Sequence, residues 1–172
     1  RNGIKFYRPD GEIDKADEAA ITAAAEALRS EGTIFDAAQE TAEDLHETAM
    51  ALYGARNRTL LPQTSLSGLR VGVYQHSTVA RDLFVDVLAH YGADVVALGR
   101  SETFIPVDTE AVSPETVALL QGWAMQHGLH AIVSADGDGD RPLVADETGT
   151  PVRGDLIGLI ACRFLGATAI AT

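Results

Sequence analysis

Asp136-Gly137-Asp138-Gly139-Asp140-Arg141 sets three carboxylates at alternate positions, a glycine between each pair and an arginine directly after them. An extended or looping backbone sends alternate side chains to one side, so this spacing can bring three anionic oxygens to one point. Glycine tolerates positive φ and carries no side-chain bulk, which lets such a loop curl around a small ion. Carboxylates gathered this way repel one another unless a cation stands among them. A hard divalent ion such as Mg²⁺ takes oxygen ligands at roughly 2.0–2.1 Å in octahedral geometry and completes its shell with water or phosphate oxygen. Asp136, Asp138 and Asp140 are therefore the expected metal ligands.

Two other readings of the same residues compete. Asp and Gly both favour turns, so the repeat could simply reverse the chain at the surface. Strict alternation of three acids followed by Arg141 speaks against that. The same aspartates also match the first three ligand positions of a helix–loop–helix calcium loop, and Glu147 falls at its last. That match breaks in the middle, where Arg141 occupies the position that needs glycine and Pro142 follows it.

The elements that must hold this segment alternate between strand and helix. Asp14 offers an N-cap, and Ile21, Ala25 and Leu28 form one apolar stripe on a helix that stops near Gly32. A second stripe, Ala38, Ala42, Leu45, Ala49 and Leu52, predicts an acidic connector helix ending near Gly54. Strands are expected at Leu69–Tyr74, Val95–Leu98, Ala131–Val133 and Leu143–Ala145. Between them, Val79, Leu83, Val87 and Tyr91 line a helix stopped by Gly92. Ser113-Pro114-Glu115 starts another, with Val117, Leu120 and Ala124 as its buried face. Asp155 to Leu165 forms a further helix, and Ala167–Thr172 reads as one more strand. Alternation of this kind implies right-handed βαβ units and an α/β fold with a mainly parallel sheet. The acidic loop then follows the carboxyl end of a buried strand, where open α/β sheets place their ligands.

Composition narrows the partners. The 172 residues are 46% hydrophobic and 22% charged, which suits a globular protein with a real core. A formal net charge of −12 would repel a nucleic-acid backbone over most of the surface. The single Cys162 cannot close an internal disulfide, which points to a reducing, cytoplasmic setting. No apolar run approaches the ~20 residues of a membrane span, so no membrane partner is expected.

At this point the residues carry a resemblance. Asp136 to Arg141 resembles the metal-binding loop of the α-D-phosphohexomutases, the phosphomannomutase and phosphoglucomutase family, and Asn2-Gly3-Ile4-Lys5 resembles the Asn-Gly-x-Lys that follows the family's active serine. The resemblance implies that Asp136, Asp138 and Asp140 hold Mg²⁺, with a phosphoserine oxygen completing the site, and that Arg141 and Lys5 are active-site groups. It implies a mixed, mainly parallel sheet flanked by helices, preceded by part of a similar domain: residues 1–35 closing the phosphoserine domain, 36–165 the metal-binding domain, and 166–172 opening a sugar-binding domain. The reaction implied moves phosphate between positions 1 and 6 of a hexose through a bisphosphorylated sugar, so hexose phosphate and hexose bisphosphate are the expected partners. The serine would precede Arg1 and the sugar-reading loop would follow Thr172, so these residues alone are expected to be inactive. A calcium-binding module without catalysis is the alternative.

Other residues invite weaker readings. His76-Ser77-Thr78 lies between strand and helix without the Gly-x-Gly-x-x-Gly of a dinucleotide site, so Ser77 or Thr78 is expected to cap the helix and His76 to be a satisfied loop histidine. His46, His90, His127 and His130 show no metal spacing. Arg56 and Arg58 read as a solvated turn, Trp123 and Met125 as packing residues, and Cys162 as a small buried one. Asp108, Glu110 and Glu115 flank the long loop before the Ser113 helix without an assigned role.

Overall fold

The computed structural model describes residues 6–32 and 43–170, and the chain divides into two compact units, residues 1–45 and 46–172. In the first, β1 (Tyr7–Arg8) pairs antiparallel with β2 (Gly11–Glu12), and α1 spans Lys15–Ser30. Asp14 caps α1 as its type and position foretell: its carboxylate accepts from Ala16 and Asp17 N–H, and Asp17 returns a bond to the Asp14 N–H. The Ile21 and Leu28 stripe is exposed.

The second unit holds α2 (His46–Asn57), β3 (Arg70–Tyr74), α3 (Arg81–His90), β4 (Asp94–Leu98), α4 (Pro114–His127), β5 (Ala131–Ala135), β6 (Pro142–Ala145), β7 (Pro151–Val152) and α5 (Gly154–Phe164). Its sheet runs β4-β3-β5-β6-β7. The β3–β4 and β3–β5 pairs are parallel, whereas β5–β6 and β6–β7 are antiparallel, so the sheet is mixed. The reason is chain length. Six residues separate β5 from β6, far short of the dozen or more that a parallel crossover requires, and the chain must fold back as a hairpin. β3–α3–β4 steps one way along the sheet and β4–α4–β5 steps back, so right-handed crossovers place α3 and α4 on opposite faces. Under α4 lies a core of Tyr74, Leu98, Leu120, Ala124, Leu129, Ile132, Leu143 and Ala145. Each large side chain buried there contributes about 2 kcal/mol.

Several expectations are corrected. α2 runs through Gly54, which is buried inside it, and Tyr91 at the end of α3 accepts from the Leu60 and Leu61 N–H groups and donates to Asn57 O. The helix touches α3, yet all of its residues except Gly54 and Asn57 are exposed, as expected of a solvated helix, and Arg58 beyond it pairs with Asp86 of α3. Ala38 and Ala42 lie outside the described residues, and Leu45 precedes the helix. Trp123 packs on the core against Tyr74, but Met125 is 83% exposed, because it points well round the helix from Leu120 and Ala124. Cys162 is only half-buried. Residues 167–170 form no strand, since no described strand pairs with them.

Candidate metal centre

Because β3, β4 and β5 are parallel, their carboxyl ends deliver three loops to one edge of the sheet: 75–80, 99–113 and 136–141. Hydrogen bonds stitch these loops together. Val79 N–H donates to Gly137 O at 3.1 Å, Ser101 N–H donates to His76 O at 2.8 Å, and Ile105 N–H donates to Ser77 Oγ at 2.8 Å. Phe104 closes over Gly137, whose missing Cβ would stand 3.2 Å from its ring. The edge opens into a cleft of about 810 Å³ whose walls include Thr78, Arg81, Ser101, Phe104 and Asp138.

Within the last loop the three aspartates converge: one carboxylate oxygen from each of Asp136, Asp138 and Asp140 lies within 4.8 Å of the others. Asp136, half-buried, is the fixed member. Its Oδ1 accepts from Gly139 N–H and Arg141 N–H, both at 3.1 Å, while its own N–H donates to Arg141 O at 3.0 Å. Gly139 makes the curl possible at φ +83°, a conformation that L side chains resist.

The electrostatics follow. Burial alone would raise the Asp136 carboxyl, but the Arg141 and Gly139 N–H groups and the neighbouring carboxyls outweigh it and hold Asp136 below the usual range. Asp140 is pushed the other way, first by the negative charge of Asp138, then by burial and by Asp136. A hard divalent cation would relieve that repulsion, and an all-oxygen donor set at this spacing fits one. These residues therefore fit the Mg²⁺ expected of them.

The remaining expected site residues stand differently. Arg141 is held in the loop by its backbone, yet its guanidinium turns to Glu110, Nη1 to Oε1 3.6 Å, and faces a separate cleft with Thr109 and Arg153. Asp108 supports that wall by accepting from Glu110 and Ala111 N–H, which lowers its carboxyl. Lys5 lies outside the described residues. The helix-cap expectation for Ser77 and Thr78 fails: the N-cap of α3 is Ala80 without a side-chain bond, Thr78 Oγ1 instead accepts from Ala80 N–H, and Ser77 Oγ bonds Ile105. His76 is wholly buried, with Nε2 2.8 Å from Ala135 O and Nδ1 without a hydrogen-bond partner among the described residues. His130 and His90 are spent on backbone, accepting from Arg70 N–H and bonding Arg58 O. Glu110, Phe104 and the buried His76 are neighbours that local sequence could not place, since their contacts join segments far apart in the chain.

The chain is similar to known proteins. Residues 52–149 match the family described as phosphoglucomutase/phosphomannomutase, alpha/beta/alpha domain II. A phosphomannomutase of Sinorhizobium fredii is 55% identical over all of this chain and 36% of its own length. One of Salmonella muenchen is 44% identical, over 99% of this chain and 34% of its own. A phosphoglucosamine mutase of Ruegeria sp. is 31% identical over 99% and 39%. The chain thus spans little more than a third of the curated relatives it matches. A crystal structure of a phosphoglucomutase/phosphomannomutase family protein from Burkholderia thailandensis shares the fold at TM-score 0.57 and 21% identity, covering 69% of this chain and 26% of that one.

Proposed function

The chain belongs to the phosphoglucomutase/phosphomannomutase family, and from that premise we propose that it is the metal-binding part of a Mg²⁺-dependent enzyme that interconverts hexose 1- and 6-phosphates. The observation that carries the reading is the convergence of Asp136, Asp138 and Asp140 at the carboxyl edge of the parallel strands. Asp136, Asp138 and Asp140 hold the ion, and when bound Mg²⁺ withdraws charge from a phosphoryl oxygen, which eases its transfer. The phosphoryl donor is a serine outside these residues, on the domain that residues 1–35 close. Residues 36–165 form the metal domain, and 166–172 lead to the domain that reads the sugar.

The chain's own groups act by placement. Asp136, aimed by two backbone N–H bonds, keeps one ligand fixed while Asp138 and Asp140 complete the set. Arg141 offers a planar guanidinium suited to two phosphate oxygens at once, and to do so it exchanges its Glu110 partner for substrate. Lys5 holds or passes the proton that the sugar hydroxyl loses as its oxygen bonds to phosphorus, while the bond between phosphorus and the serine oxygen breaks and the serine oxygen regains a proton. The names of the more similar relatives support a mannose phosphate as the sugar, over glucosamine phosphate.

Titration calorimetry with Mg²⁺ and Ca²⁺ tests this, with and without inorganic phosphate, on wild type and Asp138→Asn. The mutase reading expects Mg²⁺ to bind weakly alone and more tightly with phosphate, and Asp138→Asn to lose both. Tight Ca²⁺ binding that raises the melting temperature without phosphate would instead support a structural calcium module. Turnover of mannose 1-phosphate, with a bisphosphate activator, by these 172 residues alone would overturn the division of labour.

A further inference from the structure

His76 stands two residues past the end of strand β3 and pays for its place. It is wholly buried, its backbone sits at φ +22°, where non-glycine residues are uncommon, and its Nδ1 has no partner among the described residues. A carbonyl can only accept, so the 2.8 Å contact with Ala135 O puts the proton on Nε2 and leaves Nδ1 a bare acceptor in the neutral ring. An apolar side chain would carry no such orphan nitrogen. The bond to Ala135 is what the imidazole supplies, and Ala135 is the residue before Asp136.

That carbonyl has few other suitors. The pairing of β3 with β5 ends at Val73↔Val133, so Ala135 lies beyond the parallel ladder, and on the β6 side its partner is Pro142, which has no N–H to donate. Ser134 Oγ reaches Ala135 O only at 3.4 Å, being committed to Tyr74 O at 2.7 Å. On the other side of Asp136, Gly137 O accepts from Val79 N–H at 3.1 Å. One turn, residues 76–79, therefore holds the carbonyls of the residue before Asp136 and the residue after it, and it is anchored in turn by Ser101 N–H on His76 O. Of the two, the Ala135 carbonyl belongs to the peptide unit that enters Asp136, whose orientation helps set the direction in which the Asp136 side chain leaves the backbone, and the Gly137 carbonyl fixes the chain one peptide unit further on.

We propose that His76 is a positioning residue for the metal centre: its Nε2–H fixes the Ala135 carbonyl and so aims Asp136 at the ion without ligating it. The inference rests on the metal reading of the aspartate loop. Groups that orient metal ligands typically change affinity by about 10–100-fold when removed.

The test is Mn²⁺ binding to this chain by electron paramagnetic resonance. Asparagine tolerates positive φ better than other non-glycine residues, so His76→Asn keeps the turn, yet its amide is too short to reach Ala135 O. His76→Gln carries its amide nitrogen about as far as the imidazole Nε2 and restores the donor. Expected are an affinity about tenfold weaker for His76→Asn, recovery to within about threefold for His76→Gln, and no measurable site in Asp138→Asn. A merely stabilising histidine would lower the melting temperature of both His76 variants and leave their Mn²⁺ curves on that of wild type, which would overturn the proposal while Asp138→Asn still reports a genuine site. Wild type and Asp138→Asn binding alike would remove the metal reading and the inference with it. A second measurement needs no variant to fold: in wild type, added Mg²⁺ should move the His76 ring resonances and leave those of His90 and His130 in place, and an unmoved His76 would count against the proposal.

Discussion

Two hairpin loops on opposite edges of the sheet are built on one plan. Asp136-Gly-Asp138-Gly139-Asp140 joins β5 to β6, and Asp146-Glu-Thr148-Gly149-Thr150 joins β6 to β7. In both, the first aspartate turns its Oδ1 back on the loop: Asp136 accepts from Gly139 and Arg141 N–H, and Asp146 accepts from Thr148 and Thr150 N–H. In both, a glycine at positive φ, Gly139 at +83° and Gly149 at +77°, completes the curl. In both, the alternate side chains converge. Thr148 Oγ1 donates to Asp146 Oδ1 at 2.6 Å and lies 2.8 Å from Thr150 Oγ1. Hydroxyls both donate and accept, so the second loop satisfies itself. Carboxylates only accept when ionised, so the first loop is left with charges that its own atoms cannot balance. Turn formation is common to the two, and the need for a cation belongs to one.

Writing the second loop's pattern into the first breaks the comparison most severely. Asp138→Thr with Asp140→Thr should weaken Mg²⁺ binding by about a hundredfold or more, as calorimetry would show, while the metal-free melting temperature rises because the repulsion is gone. Unchanged Mg²⁺ affinity would mean the convergence of acids is incidental. Next in size are the two glycines. A Cβ on Gly149 would stand 2.5 Å from the Gln121 backbone, so Gly149→Ala should cost about 3 kcal/mol in urea unfolding. At Gly139 the nearest atom is the Ala80 methyl at 3.3 Å, and Gly139→Ala should cost about 1–2 kcal/mol, mostly from its φ. Equal costs would deny that the second loop is the more tightly seated. Thr148→Val removes hydroxyl bonds that are exposed to water and should cost about 0.5–1 kcal/mol.

The smallest effect is in pH dependence, and its sign differs between the loops. Asp146 is held below the usual carboxyl range, first by the Thr148 hydroxyl and then by the Thr150 N–H, so its contribution is present above the unfolded carboxyl value and is lost as pH falls through the folded one. Asp140 is raised, chiefly by the charge of Asp138, so its contribution is present below the unfolded value and disappears as pH rises through the folded one. Carbonyl-carbon NMR titration of the metal-free chain should find Asp140 titrating above Asp146. The reverse order would show that the first loop does not concentrate charge.

Much of this architecture was legible in the residues because it depends on local chemistry. Ser113-Pro114 before the stripe of Leu120 and Ala124 produces the cap and buried face of α4, and Gly128 closes it in the left-handed conformation at φ +59°. β3 and β4 fall within a residue of the apolar runs that foretell them. What failed did so for tertiary reasons. Gly54 reads as a helix end, but α2 packs on α3 and continues to Asn57. Ala167 onward reads as a strand, and no described strand receives it. The missed β7 has only two residues, too few for a periodic signal.

For the site the division is the same. Alternation of Asp with Gly by itself determined that three carboxylates could share a point, since side-chain direction in a curled backbone follows from residue spacing. Only the tertiary structure decided where that point lies and what surrounds it. The parallel strands bring three loops to one edge, Glu110 draws Arg141 aside, and His76 reaches Ala135 across 59 residues of chain. Contacts so distant in sequence form only when the sheet assembles, and no local pattern of residues encodes them.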